Sequence, residues 1–523
     1  MTASSAIRRL AVAALILVPV VWMYGRGLGD APVYLHHDEV LVALNAHAIA
    51  ETGRDPTGAR LPLYFRNVDG VLQTPISIYC TALVFKLFPV SEVSIRLPSV
   101  MVGLLTVVLM YLLARALFHS HTLAVIAATL LALTPALFIH SRLGFDHHYP
   151  ALFVTGWLLG LVTFLERPRL RSLFLASLTL GVGVYSYLAS LAMMPIYFCL
   201  TCAQLLERHR RSARVWIAAF AGFALPLTLL AVWMATHPAQ YNQSVGTYKL
   251  YDSSKLNPLQ GLHEMLSYTS LTERSSVYYT AFDPSFLLFG GDSSMVHSTR
   301  RAGVFLFPVG AFLALGLYRI LTRRRSWFEL LLVVGLLVSP LAAAIVAEPY
   351  RISRQMVMIP FAILIATCGV EWGLRGHRVW RVATMALLAT APIQFALFDR
   401  DYMTDYRVRS AGWFEGNIRG AVDAVIAREP NGSPRPVYFG NDIAWSESYW
   451  QLYAVKHRRP DLMKQVRFFN PKAVDAATFP AGSFVISRYV EPLHAAFERT
   501  AGLRTLALLP EPNGSILFAA LEK

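Results

Sequence analysis

Charge is scarce in this chain. Only 15% of its 523 residues are Asp, Glu, Lys or Arg, against about 25% in soluble domains. Acids are the scarcer sign, 32 against 47 basic residues. Cysteine is nearly absent, and Cys80, Cys199, Cys202 and Cys368 all fall in apolar segments. That excludes a disulfide framework. Cys199 and Cys202 form a CxxC, but inside the run PIYFCLTCAQLL a packed or lipid-facing thiol is inert, and neither redox nor metal chemistry is assigned. No GKS/T follows Gly290-Gly291, so that pair is a turn and not a phosphate loop. Internal repeats and low-complexity tracts are missing too. No small-residue cleavage site follows the first apolar run, LAVAALILVPVVWMY after Arg8 and Arg9, which therefore reads as a retained signal-anchor.

What is abundant is apolar sequence. Hydrophobic residues make up 55% of the chain, and mean hydropathy is +0.46. The runs are long, so the class is a polytopic α-helical membrane protein. Spans are expected at Leu10 to Tyr24, Leu97 to Phe118, Leu123 to Ile139, Ala151 to Leu165, Leu173 to Tyr187, Leu188 to Leu206 and Val215 to Ala235. After a polar loop come Ala302 to Leu321, Phe328 to Ala347, Gln355 to Trp372 and Val379 to Phe398. The run PISIYCTALVFKLFP is short for a spanning helix and suits the membrane interface. The expected total is about eleven to thirteen spans.

The net charge of +15 marks topology here, not nucleic acid. Basic clusters at Arg115, ERPRLR, ERHRRSAR, TRRRS and RGHRVWR occupy every other loop, as the positive-inside rule demands. Membrane lipids are their natural partner. The alternate loops then face outward, together with the tail. Residues 1–398 read as a membrane module. Residues 399–523 change character, with PVYFGND, GSFVISRYV, LRTLALLP and SILFAALE as strands and AVDAVIAREP and SYWQLYAVKHRR as helices. A small α/β domain on the outer face is expected.

Acids and histidines collect in the outward loops. YLHHDEV brings His36, His37, Asp38 and Glu39, with Arg66 and Asp69 later. RLGFDHHYP brings Arg142, Asp146, His147 and His148. The long loop carries His263, Glu264, Asp283, Asp292, His297, Arg300 and Arg301, and AEPYRISR adds Glu348, Tyr350, Arg351 and Arg354. Carboxylates of this kind take a proton from an attacking hydroxyl, and arginines neutralise a phosphate. A divalent metal held by His37, His147 and His263 is an alternative source of that charge. Asp38 and Glu39 equally suit the N-terminus of a helix over VLVALNAHAIA, and Arg351 and Arg354 suit lipid headgroups. Adjacent residues on one short segment are not expected to face one ion together. The NGS sequons at Asn431 and Asn513 are frequent matches and carry no assignment.

The acidic pair soon after the first span, the stretch TPISIY…FKLFPVSEVSIRLPSVMVGLLTVVLMYLLARALF and the loop FDPSFLLFGGDSSMVHSTRRAGVFLFP resemble bacterial GT-C glycosyltransferases. More narrowly they resemble the protein-mannosyltransferase-like and aminoarabinose-transferase-like superfamily, including a rhizobial galacturonosyltransferase branch. The resemblance implies an inverting transferase in the bacterial inner membrane. It would move a sugar from a polyprenyl-phosphate donor to an envelope acceptor on the periplasmic side, where the C-terminal domain would also lie. The family's first-loop acid maps onto Asp38, its second onto Asp146, and Glu39 supports the first. Arg300, Arg351 and Arg354 are candidates for the donor phosphate. Where the family carries KPPL or HPPL, this chain reads QTPI from Gln73 to Ile76, which favours a glycolipid or polysaccharide acceptor over protein.

Two other classes compete. A transporter or flippase of a lipid-linked substrate would place ionisable groups at mid-span, whereas here they sit at span ends. A scaffold with a partner-binding outer domain leaves the loop acids unexplained.

Overall fold

The computed structural model describes residues 18–523 apart from 67–70, 241–242, 244–245, 247, 249, 253–254, 324–325, 430–434, 472 and 474–478. Arg8, Arg9, Asp69, Arg324, Arg325, Asn431 and the first part of the Leu10 to Tyr24 span lie outside the described residues. The chain divides into two compact units. One comprises Met1–Arg26, Pro62–Ser77 and Pro98–Arg400, the other Gly27–Leu61, Ile78–Leu97 and Asp401–Lys523.

Among the described residues, seven helices are long and apolar enough to cross a membrane. They are Glu92–Phe118, Tyr149–Glu166, Ser190–Arg208, Ala213–Thr236, Trp327–Ile345, Met358–Arg375 and Arg378–Met403. Other expected spans form shorter apolar helices, at His121–Ala132, Leu170–Gly183 and Phe307–Thr322. Proline explains the first of these. The run from Leu123 breaks at Leu133 and Thr134, because Pro135 lacks the N–H that would continue the ladder, and a new short helix starts there. Pro75–Leu87, the expected interfacial run, is a helix of 13 residues. At ~1.5 Å per residue that is about 20 Å, well short of a ~30 Å hydrocarbon core.

Within the first unit the helices pack through small residues. A Cβ on Gly316 would meet the Ile365 carbonyl oxygen, and one on Gly369 would meet the Phe312 carbonyl oxygen. The pair Phe307–Thr322 and Met358–Arg375 therefore touches backbone to backbone, as close helix packing in lipid requires. A two-stranded ribbon, β1 (Phe65–Arg66) against β2 (Leu72–Gln73), precedes Pro75–Leu87.

The second unit is an α/β fold. Its strands are β3 (Val437–Gly440), β4 (Val466–Phe469), β5 (Phe484–Arg488), β6 (Arg504–Pro510) and β7 (Ile516–Glu522), in the order β4-β3-β5-β7-β6. β3 runs parallel to β4 and β5, while β7 runs antiparallel to β5 and β6. The four strands and two helices expected in the tail are all present, at Ile418–Arg428 and Ser446–Lys456 for the helices. β4 and the helix Glu491–Ala501 are additions. The tail does not make its core alone. Leu35, Val40, Ala43 and Ile95 are buried in one apolar cluster with Trp450, Phe484 and Phe518.

Candidate functional site

In the second unit the site is built on the N-terminus of the helix His37–Thr52. His36 caps it in an extended conformation, φ −72° and ψ 152°. The Glu39 carboxylate reaches back to accept from the His36 N–H at 3.0 Å, closing a capping box. Glu39 is fully buried, and so is Arg96. Arg96 donates to Glu39 from Nε at 2.8 Å and from Nη2 at 3.1 Å, and to the carbonyls of Leu28, Pro32 and Tyr34 at 2.7–2.9 Å. One guanidinium thus fixes the whole approach of the chain to Asp38.

Asp38 itself is 39% exposed at its side chain. It lies 3.4 Å from His36 Nδ1 and 3.5 Å from His37 Nε2. The other His37 nitrogen is 2.8 Å from Glu415 Oε1, and its ring stacks on Trp445 at 4.8 Å. The Tyr449 hydroxyl donates to Glu415 Oε2 at 3.1 Å and lies 2.7 Å from the Leu35 carbonyl. Burial alone would lower the His36 pKa, but its hydrogen bond to Asp38 and the nearby carboxylates of Asp38, Glu415 and Glu39 hold it above the usual value. The expectation that neighbouring residues cannot face one point is corrected. The ligand atoms of His36, His37 and Asp38 all lie within 4.8 Å of one another, because the backbone switches from extended to helical between them.

The first unit holds the other acids. Asp146 accepts a hydrogen bond from the buried Thr74 hydroxyl, which stands one residue after Gln73 in the QTPI element. His147 packs edge-on against Tyr187 at 5.0 Å, and the Tyr187 hydroxyl accepts from Arg354 Nη1 at 2.8 Å. Arg354 also donates from Nε to Glu348 at 3.0 Å and stands over the Tyr248 ring. This arginine lines a cavity of about 400 Å³ whose walls include Tyr64, Leu72, Trp233, Tyr248 and Ile345. An apolar chamber with a guanidinium at its wall suits a lipid tail that ends in an anion.

Asp292 has a structural role. Its oxygens accept from the N–H groups of Ser294 at 2.8 Å and Ile352 at 2.7 Å, tying its loop to the turn Ile352–Arg354. Burial pushes its pKa up to about 6, against the pull of those bonds and of Arg351 at 3.7 Å. Arg300 is exposed, with φ +56°. His263 is exposed on the short helix Pro258–Met265 and, among the described residues, belongs to neither histidine group. His147 instead converges with His140 and His297, their ligand atoms within 4.8 Å of one another.

Sequence reasoning missed Arg96, His140 and Glu415. Arg96 had a signal, since a lone arginine in the apolar run SEVSIRLPSV needs a buried partner. His140 was hidden at a span end, and Glu415 lies far from His37 in sequence.

Residues 73–234 match the family model described as dolichyl-phosphate-mannose-protein mannosyltransferase. No curated protein sequence matches the chain. Among solved structures the chain is similar to ArnT from Cupriavidus metallidurans bound to undecaprenyl phosphate. That pair is 13% identical at a TM-score of 0.58, covering 98% of each chain. For the apo state of the same protein the TM-score is 0.55 at 13% identity, covering 99% of this chain and 98% of that one. The Archaeoglobus fulgidus oligosaccharyltransferase in complex with Zn and sulfate aligns at 0.51 and 14% identity, over 96% of this chain and 73% of that one. The chain has the GT-C membrane fold of these proteins.

Proposed function

We propose that the chain is a membrane glycosyltransferase that takes a sugar from a polyprenyl-phosphate donor and passes it to a hydroxyl of an envelope glycolipid or polysaccharide. The observation that carries this reading is the apolar cavity walled by Arg354, in a fold shared with a protein whose structure holds undecaprenyl phosphate. Its walls suit the isoprenoid chain, and the guanidinium suits the phosphate that departs from the sugar.

Asp38 is the general base in this reading. It is half-buried, held between His36 and His37, and keeps exposed carboxylate surface for an acceptor hydroxyl. The hydroxyl oxygen attacks the anomeric carbon as its proton passes to Asp38, and the lipid phosphate leaves with the bonding pair, inverting the centre. Asp146, held by Thr74, is the second acid that the family resemblance marks. Glu39 acts as a support, because Arg96 and the His36 N–H occupy its carboxylate. Arg354 is the first choice for the phosphate, ahead of Arg351 and Arg300. A bacterial inner membrane, with Asp38 and the α/β unit on the periplasmic side, agrees with the alternation of basic loops.

Mass spectrometry of envelope lipids and polysaccharides, with and without the protein, tests the reading. A lost hexose, uronic acid or pentose on one acceptor is the expected result. If the sugars are unchanged while a lipid-linked sugar accumulates on one leaflet, the protein moves its substrate without breaking a bond and the transferase reading fails.

A further inference from the structure

His140 is 1% exposed. Its Nδ1 lies 2.8 Å from the Ala136 carbonyl oxygen. A carbonyl only accepts, so Nδ1 carries the proton and Nε2 presents a lone pair. That Nε2 is buried and, among the described residues, has no hydrogen-bond partner. Leaving a buried acceptor unsatisfied is costly, and such an atom calls for an explanation, of which a bound ion is one. His140 stacks on His297 with ring centres 5.0 Å apart and planes 4° from parallel, and His147 stands edge-on to both.

We infer that His140, His147 and His297 form a tri-histidine site for a divalent transition cation of the zinc class, with a coordination position left open to an oxygen ligand. Three observations carry it. The ligand atoms of the three lie within 4.8 Å of one another, and small ring rotations close that to the ~3.3 Å edge of a tetrahedral zinc site. The Ala136 carbonyl fixes the His140 tautomer and leaves Nε2 with its lone pair, as an outer partner does for a metal-bound imidazole. The donor set is all imidazole, which suits Zn²⁺ and disfavours Mg²⁺ or Ca²⁺. Three neutral imidazoles leave the charge of the ion uncompensated, so its remaining position favours an anionic oxygen. His147 also packs against Tyr187, which holds Arg354 at the cavity wall, and the site is thereby joined to the residues that would meet a phosphate. The inference stands whether or not the transferase reading does.

The test is zinc binding by the full-length chain in detergent, with metal stripped and Zn²⁺ alone returned by equilibrium dialysis. It is done in a His37→Ala background, which disables the second histidine group and leaves one site to read. One equivalent of Zn²⁺ per chain is expected, and Co²⁺ in its place gives visible d–d absorption. His297→Asn and His140→Gln, each added to that background, are expected to weaken binding about 100-fold and to abolish the cobalt bands. His297 is only part-buried, so its variant decides the matter if the His140 variant elutes as aggregate. No stoichiometric zinc in the His37→Ala chain, or unchanged affinity in a folded His297→Asn chain, overturns the assignment.

Discussion

Arg96 and Glu39 form a bidentate ion pair in which both side chains are fully buried, 57 positions apart in the chain. The remaining guanidinium hydrogens go to three carbonyls of the segment that leads into Asp38. Geometry of this quality is what allows a buried pair to offset its desolvation. Arg96→Met strands a carboxylate in the core. It should cost about 3–5 kcal/mol, read as a large drop in the thermal midpoint of the purified chain. Glu39→Met added to Arg96→Met should recover part of that loss, and an additive double variant would show that the two do not act as a pair.

Asp38 and Glu39 are neighbours with opposite exposure, and their variants should separate. Asp38→Asn is expected to lower sugar transfer by ~10²–10⁴-fold with little change in melting. Glu39→Gln is expected to lower the melting temperature first, because the loss falls on the pair with Arg96. Transfer assays and thermal melts on the same preparations check both. Undiminished transfer by Asp38→Asn removes that residue from the chemistry.

Arg354 has its own signature. Arg354→Met should weaken binding of a polyprenyl phosphate by about 30-fold or more, the ~2 kcal/mol expected when a buried, hydrogen-bonded charge loses its partner. Arg351→Met, at the same turn but paired with Asp292, should weaken it less. Binding of a short-chain polyprenyl phosphate by native mass spectrometry ranks the two, and the reverse order would move the phosphate to Arg351.

Asp292 predicts a pH dependence. Its pKa is raised by burial to about 6 in the folded chain, above ~3.9 for an unfolded aspartate. Between those values the folded state holds a proton that the unfolded state has released, so stability falls as pH rises through that window. The expected loss between pH 4 and pH 7 is up to about 3 kcal/mol. Asp292→Asn, which stays neutral, should flatten this part of the profile. Melting curves over the same pH range read the difference, and an unchanged slope in the variant assigns it to another group.

Period and hydropathy made much of the fold legible. Long apolar runs announced the helices, because a chain that cannot satisfy its backbone with lipid must do so within each segment. Alternating patterns announced the tail strands β3, β5, β6 and β7, and β4 escaped because VRFF is short and half exposed. Spans cut by proline were read too long, as at Thr134-Pro135.

YLHHDEV was visible as the place where acids and histidines crowd, and the sequence alone placed it at a helix start. Only the tertiary structure decided which acid is a strut and which keeps its surface. Glu39 and Asp38 differ by one position, so on a helix they point about 100° apart. One faces the core that residues 27–61 share with the α/β tail, and the other does not. The partners that set those roles, Arg96 and Glu415, lie 57 and more than 370 positions away. The same holds for His140, His147 and His297, whose meeting depends on how three separated segments pack. A sequence carries local period directly, but it records such distant contacts only through the fold they help to make.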